Sequence, residues 1–171
     1  MQTTTRLGRL SFVALLLLGL TFSAPATHAA AKTVSPTQHE IQAVYNKINA
    51  ALAQKDIDTA MDYDADGCEY YDAKGHLRDT VDGRQDLVKL IEYIDVLKQT
   101  TVITSFTGTN SEATVTVKSH TIAYTSNGVT GRAARVVGDD VDRDYWVKTD
   151  DGWRRKRSRE IKTTVKLHKN F

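Results

Sequence analysis

Val141-Asp-Arg-Asp-Tyr-Trp-Val-Lys148, then Thr149, Asp150, Asp151 and Gly152, then Trp153-Arg-Arg-Lys-Arg-Ser-Arg-Glu-Ile161 reads as a long β-hairpin with its turn spelled out. Both arms are too β-branched, aromatic and long to be loops, and Asp-Asp-Gly supplies the turn. Two registers are open. A type I turn with Gly152 left-handed pairs Thr149 with Trp153 and puts Val147, Tyr145 and Arg143 on the face of Arg155, Arg157 and Arg159. A four-residue loop sets Asp144 and Asp142 opposite Arg157 and Arg159 instead. In both, alternation along a strand places Trp153, Arg155, Arg157 and Arg159 on one face. A large indole after a turn is best buried, so the expectation is that Trp153 faces inward and carries the three arginines with it.

Working back along the chain, Ser35-Pro36-Thr37-Gln38 is a helix start: Ser35 caps, Pro36 takes the first turn and Gln38 completes a capping box. Ile41, Val44, Tyr45, Ile48 and Leu52 then recur at helical spacing on one stripe. Asp56 caps a second, short helix with Ile57, Ala60 and Met61 facing one way, ending near Tyr63. Residues 64–67 break the pattern at Gly67, 68–71 read as a short strand, and Asp72-Ala-Lys-Gly75 turns it. Asp82 with Gln85 offers another capping box, opening a third helix marked by Leu87, Leu90, Ile91, Ile94 and Leu97.

Everything beyond Lys98 is strand-like. Residues 101–106 are β-rich, 108–111 form a turn, and 113–124 make a long strand with Val115 and Val117 on one face, Ile122 and Tyr124 on the other. A loop at 126–131 precedes a strand beginning at 134, and Gly138-Asp-Asp140 is expected to bulge before the hairpin. There is no internal repeat or second domain. Three N-terminal helices and a twisted antiparallel sheet define an α+β domain.

The first residues carry their own signal: Arg6 and Arg9, an apolar run at 10–22, and small residues ending Ala-Thr-His-Ala-Ala-Ala31. This is the pattern of a secretory leader over 1–31, cleaved after Ala29, Ala30 or Ala31, with residues 32–171 as the domain and a periplasmic or secreted destination. The run is too short for a membrane span and no cysteine lies near it to accept a lipid, so no membrane anchor is expected. Loss of the leader removes two of the 23 basic residues and none of the 21 acidic ones. A mature chain so nearly neutral gives no general case for nucleic-acid binding. Cys68 is alone, which excludes an internal disulfide, and reads as a small buried hydrophobe. His39, His76, His120 and His168 show no ligand spacing, and there is no phosphate loop or serine elbow, so no metal or cofactor is expected. Strand parity puts His120 on the face opposite Val115 and Val117.

The order helix, short helix, short strand, turn, helix, long antiparallel strands resembles the nuclear transport factor 2-like superfamily, which includes ketosteroid isomerases and SnoaL-like cyclases. The marks are Ala51-Leu-Ala-Gln-Lys-Asp56, Asp66-Gly-Cys-Glu-Tyr-Tyr-Asp72, Asp82-Gly-Arg-Gln-Asp-Leu87 and Tyr145-Trp-Val-Lys-Thr-Asp-Asp-Gly-Trp153. The resemblance implies a curved sheet forming a cone-shaped pocket closed by helices, and a homodimer through the outer sheet face. In the isomerase branch a carboxylate base stands on the short strand after the second helix. That column falls on Tyr71 or on Asp72, and Asp72 is also a natural turn residue.

Two functions therefore stand. One is a binding module for a small anionic or polar ligand, using Tyr45, Tyr63, Tyr71, Tyr145, Trp153, Arg155, Arg157 and Arg159. Arginine's planar fork suits a carboxylate or phosphate, whereas the same arginines are equally served by strand acids such as Asp142 and Asp144. The other is an isomerase- or cyclase-like enzyme with Asp72 as general base and Tyr63 or Tyr71 as donor.

Overall fold

The computed structural model describes residues 35–78, 80–126 and 133–169, with the backbone alone at 80–83, 86 and 169; the expected leader at 1–31 and most of the loop at 126–131 lie outside them. Helix α1 (Pro36–Ala53) starts as its sequence dictates, the Ser35 side chain accepting from the Gln38 N–H at 3.0 Å. Its stripe of Ile41, Tyr45, Ile48 and Leu52 is buried. Helix α2 (Ile57–Met61) is capped by Asp56, which accepts from the Thr59 N–H at 3.0 Å. Then come β1 (Asp64–Tyr71), β2 (Leu77–Arg78), α3 (Thr80–Glu92), β3 (Val96–Gly108), β4 (Glu112–Thr125), β5 (Ala134–Thr149) and β6 (Gly152–Lys169).

Over the described residues the fold is α+β, with a curved and unclosed sheet of six strands in the order β2-β1-β6-β5-β4-β3. Pairing is antiparallel except between β1 and β6, which run parallel. Parallel pairing is possible here because the connection through α3, β3, β4 and β5 is long enough to bring the chain back beside β1 in the same direction. The three helices are not all N-terminal to the sheet, since β1 and β2 precede α3. Helix α3 also differs at both ends from its sequence expectation. It opens at Thr80, so Asp82 lies within its first turn, and it stops at Glu92. Tyr93 and Ile94 donate to carbonyls three residues back, and Asp95 N–H then joins the Tyr124 carbonyl at 2.8 Å, so Leu97 belongs to β3.

The core lies between α1 and the inner sheet face. Ile41, Val115 and Val117 are almost wholly buried, each contributing about 1.5–3 kcal/mol. Trp146 is fully buried and meets Tyr45 edge-on, ring centroids 5.3 Å apart at 77°. Cys68 is buried, and burial above all pushes its thiol up to about 12, so it behaves as a hydrophobe. His120 is exposed on the other face, 2.8 Å from Asp139. Among the described residues no helix is long and apolar enough to cross a membrane.

The hairpin forms around Asp150 and Asp151, with Gly152 at φ +110°. Its register is neither of the two expected throughout. Thr149 pairs Gly152, Lys148 pairs Trp153 and Trp146 pairs Arg155; Lys156 is then extra, and from there Tyr145 pairs Arg157 and Arg143 pairs Arg159. A second extra residue, Ile161, falls between the pairs Asp142–Glu160 and Val141–Lys162. The expected bulge at 138–140 is absent from β5, whose register with β4 is unbroken; the bulges sit on the facing strand. Each extra residue reverses which later side chains face inward.

Candidate functional site

A cavity of about 340 Å³ lies under the helices on the concave side of the sheet. Its apolar walls are Ile48 and Leu52 of α1, Ala60 and Met61 of α2, and Leu87 of α3. Tyr70 of β1, Arg78 of β2, Arg84 of α3, Gln99 of β3 and Arg155 of β6 bring polar groups to it. An apolar cleft of this size with a few convergent polar groups is the usual form of a small-molecule site.

Arg155 is the centre of a buried polar network. Its Nε donates to Asp64 Oδ1 at 2.8 Å, its Nη2 to the Tyr70 hydroxyl at 2.8 Å, and its Nη1 lies 3.6 Å from Asp144 Oδ2. Tyr70 in turn donates to Asp64. Burial works against the guanidinium charge, but Tyr70, Asp64 and Asp144 outweigh it and hold Arg155 firmly protonated. Asp144, only 1% exposed, also accepts from the Tyr45 hydroxyl, which itself accepts from Trp146 Nε1 at 3.1 Å. Burial first, and then Asp144, raises Tyr45 well above the ordinary phenol range, so it stays a donor.

Asp140, Asp142 and Asp144 alternate along β5 on the same face as Trp146. Asp142, opposite Glu160, is pushed up to about 7, by burial first and then by Asp144 and Asp140. The concave face therefore joins cations with an unusually acid-rich strand, and Asp142 changes charge near neutrality.

The residues expected at the site separate. Arg155 lines the cavity. Trp153 is buried, as its inward expectation required, with its Nε1 donating to Glu40 at 2.7 Å. Tyr45 is a core residue below the cavity, and Tyr63 packs partly buried against the core. The shared face for Arg155, Arg157 and Arg159 is corrected. Beyond the Lys156 bulge, Arg157 and Arg159 turn outward with Tyr145 and Arg143, and Arg157 pairs with Glu69 at 2.8 Å over the Tyr71 ring. Tyr71 and Tyr145 thus lie on the outer face, and it is Tyr70, paired with Ser158, that points inward. The Asp72 carboxylate folds onto its own turn, accepting from Lys74 and His76 N–H groups at 2.9 and 2.8 Å. The His76 backbone bond, ahead of smaller effects, lowers it below the ordinary carboxylate range, the reverse of what a general base needs.

Tyr70, Arg78, Arg84 and Gln99 of the cavity were missed, as was the raised acid Asp142 on the concave face. The alternation Asp140, Asp142, Asp144 ahead of a tryptophan was a legible signal, because three inward carboxylates on a half-buried strand demand a partner. Arg78 and Arg84 have no such mark. Among the described residues no set of three His, Cys, Asp or Glu side chains is arranged to hold a metal ion.

The architecture and cavity define the class: an α+β cone fold. No protein-family model matches the chain, and no curated protein does. Solved structures do match. A protein from Kribbella flavida is 13% identical, with a TM-score of 0.61 over 77% of this chain and 93% of its own. A Novosphingobium aromaticivorans protein whose name carries a provisional scytalone dehydratase assignment is 16% identical, with a TM-score of 0.59 over 78% of this chain and 87% of its own. A provisionally assigned dehydratase of the nuclear transport factor 2-like family from Streptomyces avermitilis is 11% identical, with a TM-score of 0.50 over 71% of this chain and 92% of its own. The chain has the nuclear transport factor 2-like fold.

Proposed function

We propose that this is an exported single-domain protein, with a leader at 1–31 and the domain at 32–171, that binds a small ligand having an apolar body and an anionic head. The observation that carries the reading is the cavity, whose helical walls are mostly apolar and to which Arg78 and Arg155 of the sheet and Arg84 of α3 bring guanidinium groups. The identity of the anion-holding groups follows from pairing. Arg155 is already matched by Asp64 and Asp144, so a ligand carboxylate gains little there. Arg78 has only a 3.8 Å contact with Glu160, and Arg84 pairs with an Asp58 that is 81% exposed. Exposed pairs are weak and easily exchanged. A bidentate carboxylate reaching Arg78 or Arg84, with its tail against Leu52, Met61 and Leu87, uses every class of group in the cavity. Titration calorimetry with aryl and alkyl carboxylates and their neutral amides is the test. The acids should bind and the amides should bind tenfold or more weakly, and the Arg78→Ala, Arg84→Ala double variant should lose the difference. Equal binding of acids and amides refutes the reading.

Two further elements belong to it. The outer face of the edge strand β3 exposes Val96 and Val102, which favours self-association along the β3 edge of the sheet. Val102→Asp should convert a sedimenting dimer to monomer. A second, catalytic reading rests on Asp142, whose value of about 7 suits a proton carrier at neutral pH. If it acts so, a bound ketone should exchange its α-hydrogen with deuterium oxide, with an inflection near neutrality lost in Asp142→Asn. Absence of exchange would dismiss the enzyme.

A further inference from the structure

The basic strand β6 has a second face, and the cavity does not use it. On the outer side of the sheet Arg143 of β5 stands directly opposite Arg159 of β6, and one row along Val141 is flanked by Lys118 of β4 and Lys162 of β6. All four cations are exposed, and among the described residues none is in an ion pair. Like charges directly opposite across a strand pair are unfavourable. Asp140, Asp142, Asp144 and Glu160 lie on these same two strands but turn to the concave side, and the acids left on the outer face, Asp139 and Glu69, are held by His120 and Arg157. The bulges on β6 produce this sorting, since without the extra Lys156 the alternation would have sent Arg157 and Arg159 inward with Arg155.

We infer that this outer patch of β4, β5 and β6 docks on an anionic lipid bilayer surface. Four unneutralised cations spread over three strands of an open sheet face present a plane of charge, which matches a layer of phosphate headgroups better than one small anion. Nucleic acid is the weaker fit. Single strands are held by aromatic stacking platforms beside the cations, whereas here the Tyr71 ring is covered by Arg157 and Tyr145 is half-buried and hydrogen-bonded to Glu112. The reading also rests on the proposed export, which would place the chain beside a membrane. Docking of this kind is peripheral and electrostatic, adding no membrane-crossing element.

The test uses the protein as recovered from an exporting host. Its intact mass is first shown to lack residues 1–31, because Arg6 and Arg9 of an uncleaved leader would themselves favour anionic lipid, and sedimentation with vesicles of phosphatidylcholine alone and of phosphatidylcholine mixed with phosphatidylglycerol then gives the ratio that is read. Binding should favour the anionic vesicles and weaken with added salt. Each cation contributes about fivefold, so Arg143→Gln with Arg159→Gln should lower that binding about 25-fold. Lys118→Gln with Lys162→Gln should do the same from neighbouring positions, which guards against a folding defect in one variant. Carboxylate binding in the cavity should be unchanged in both, so that failure here and failure of the cavity reading are told apart. Equal binding to the two vesicles, wild-type binding by both variants, tighter binding to a single-stranded oligonucleotide, or a change of sedimenting mass in the arginine variant would each overturn it.

Discussion

Replacing Asp142 by Asn should stabilise the protein at neutral and alkaline pH and remove a pH dependence that the wild type shows. Burial, followed by the carboxylates of Asp144 and Asp140, lifts Asp142 from 3.8 to about 7. An acid raised on folding keeps its proton in the native state at pH values where the unfolded chain has lost it. Stability therefore falls as pH rises from about 4 to about 7, and is level beyond. About three pH units at 1.36 kcal/mol each set an upper limit of ~4 kcal/mol. Asp142 keeps some contact with water, which reduces the expected effect to ~2 kcal/mol. Asparagine preserves the shape and cannot ionise. Urea unfolding of both proteins across this range isolates the effect, because the acids lowered by surface hydrogen bonds, Glu40, Glu69 and Asp72, act equally in both. The difference in unfolding free energy should be near zero at about pH 4 and reach ~2 kcal/mol by about pH 8. A difference that stays flat across the range would show that Asp142 ionises freely in the folded protein and that the acid-rich strand is solvated.

Arg155→Ala removes the charge that compensates Asp64 and Asp144, which are 8% and 1% exposed, and should cost about 3–5 kcal/mol in denaturant unfolding. Arg157→Ala, breaking a half-exposed pair with Glu69, should leave the unfolding midpoint unchanged; equal effects would refute the opposed orientation of the two arginines. Tyr45→Phe leaves the indole N–H of Trp146 without a partner in the core and Asp144 Oδ2 with only its 3.6 Å contact to Arg155, and should cost about 1–3 kcal/mol by thermal unfolding. Ser35→Ala deletes the cap of α1 and should cost about 1 kcal/mol, with Ser35→Asp restoring it.

Sequence alone determined the parts of this protein that depend on neighbours in the chain. Ser35 before Pro36 and Asp56 before Ile57 set two helix starts to the residue, because a cap needs only a side chain and the amides two or three positions on. The strand beginning at 134 and the turn at Asp150 and Asp151 were equally legible, as were the burial of Trp153 and the shared face of Val115 and Val117. Helix α3 was overrun because Ile94 and Leu97 continue a helical spacing, while the Asp95 amide is claimed by the Tyr124 carbonyl, a partner no local pattern names. The site was lost by the same route. Alternation is a rule of an unbroken strand, and Lys156 and Ile161 break it with no glycine or proline to announce the change. Arg155 must turn inward to meet Asp64, 91 residues away, while Arg157 meets Glu69 outside, and one extra residue between them satisfies both. Likewise Tyr70 rather than Tyr71 entered the cavity because 65–68 form a bulge in β1 around Gly67 at φ +69°. Only the pairing of strands distant in sequence decided which face each charged side chain took, since that choice costs little locally and is settled by where its opposite charge is held.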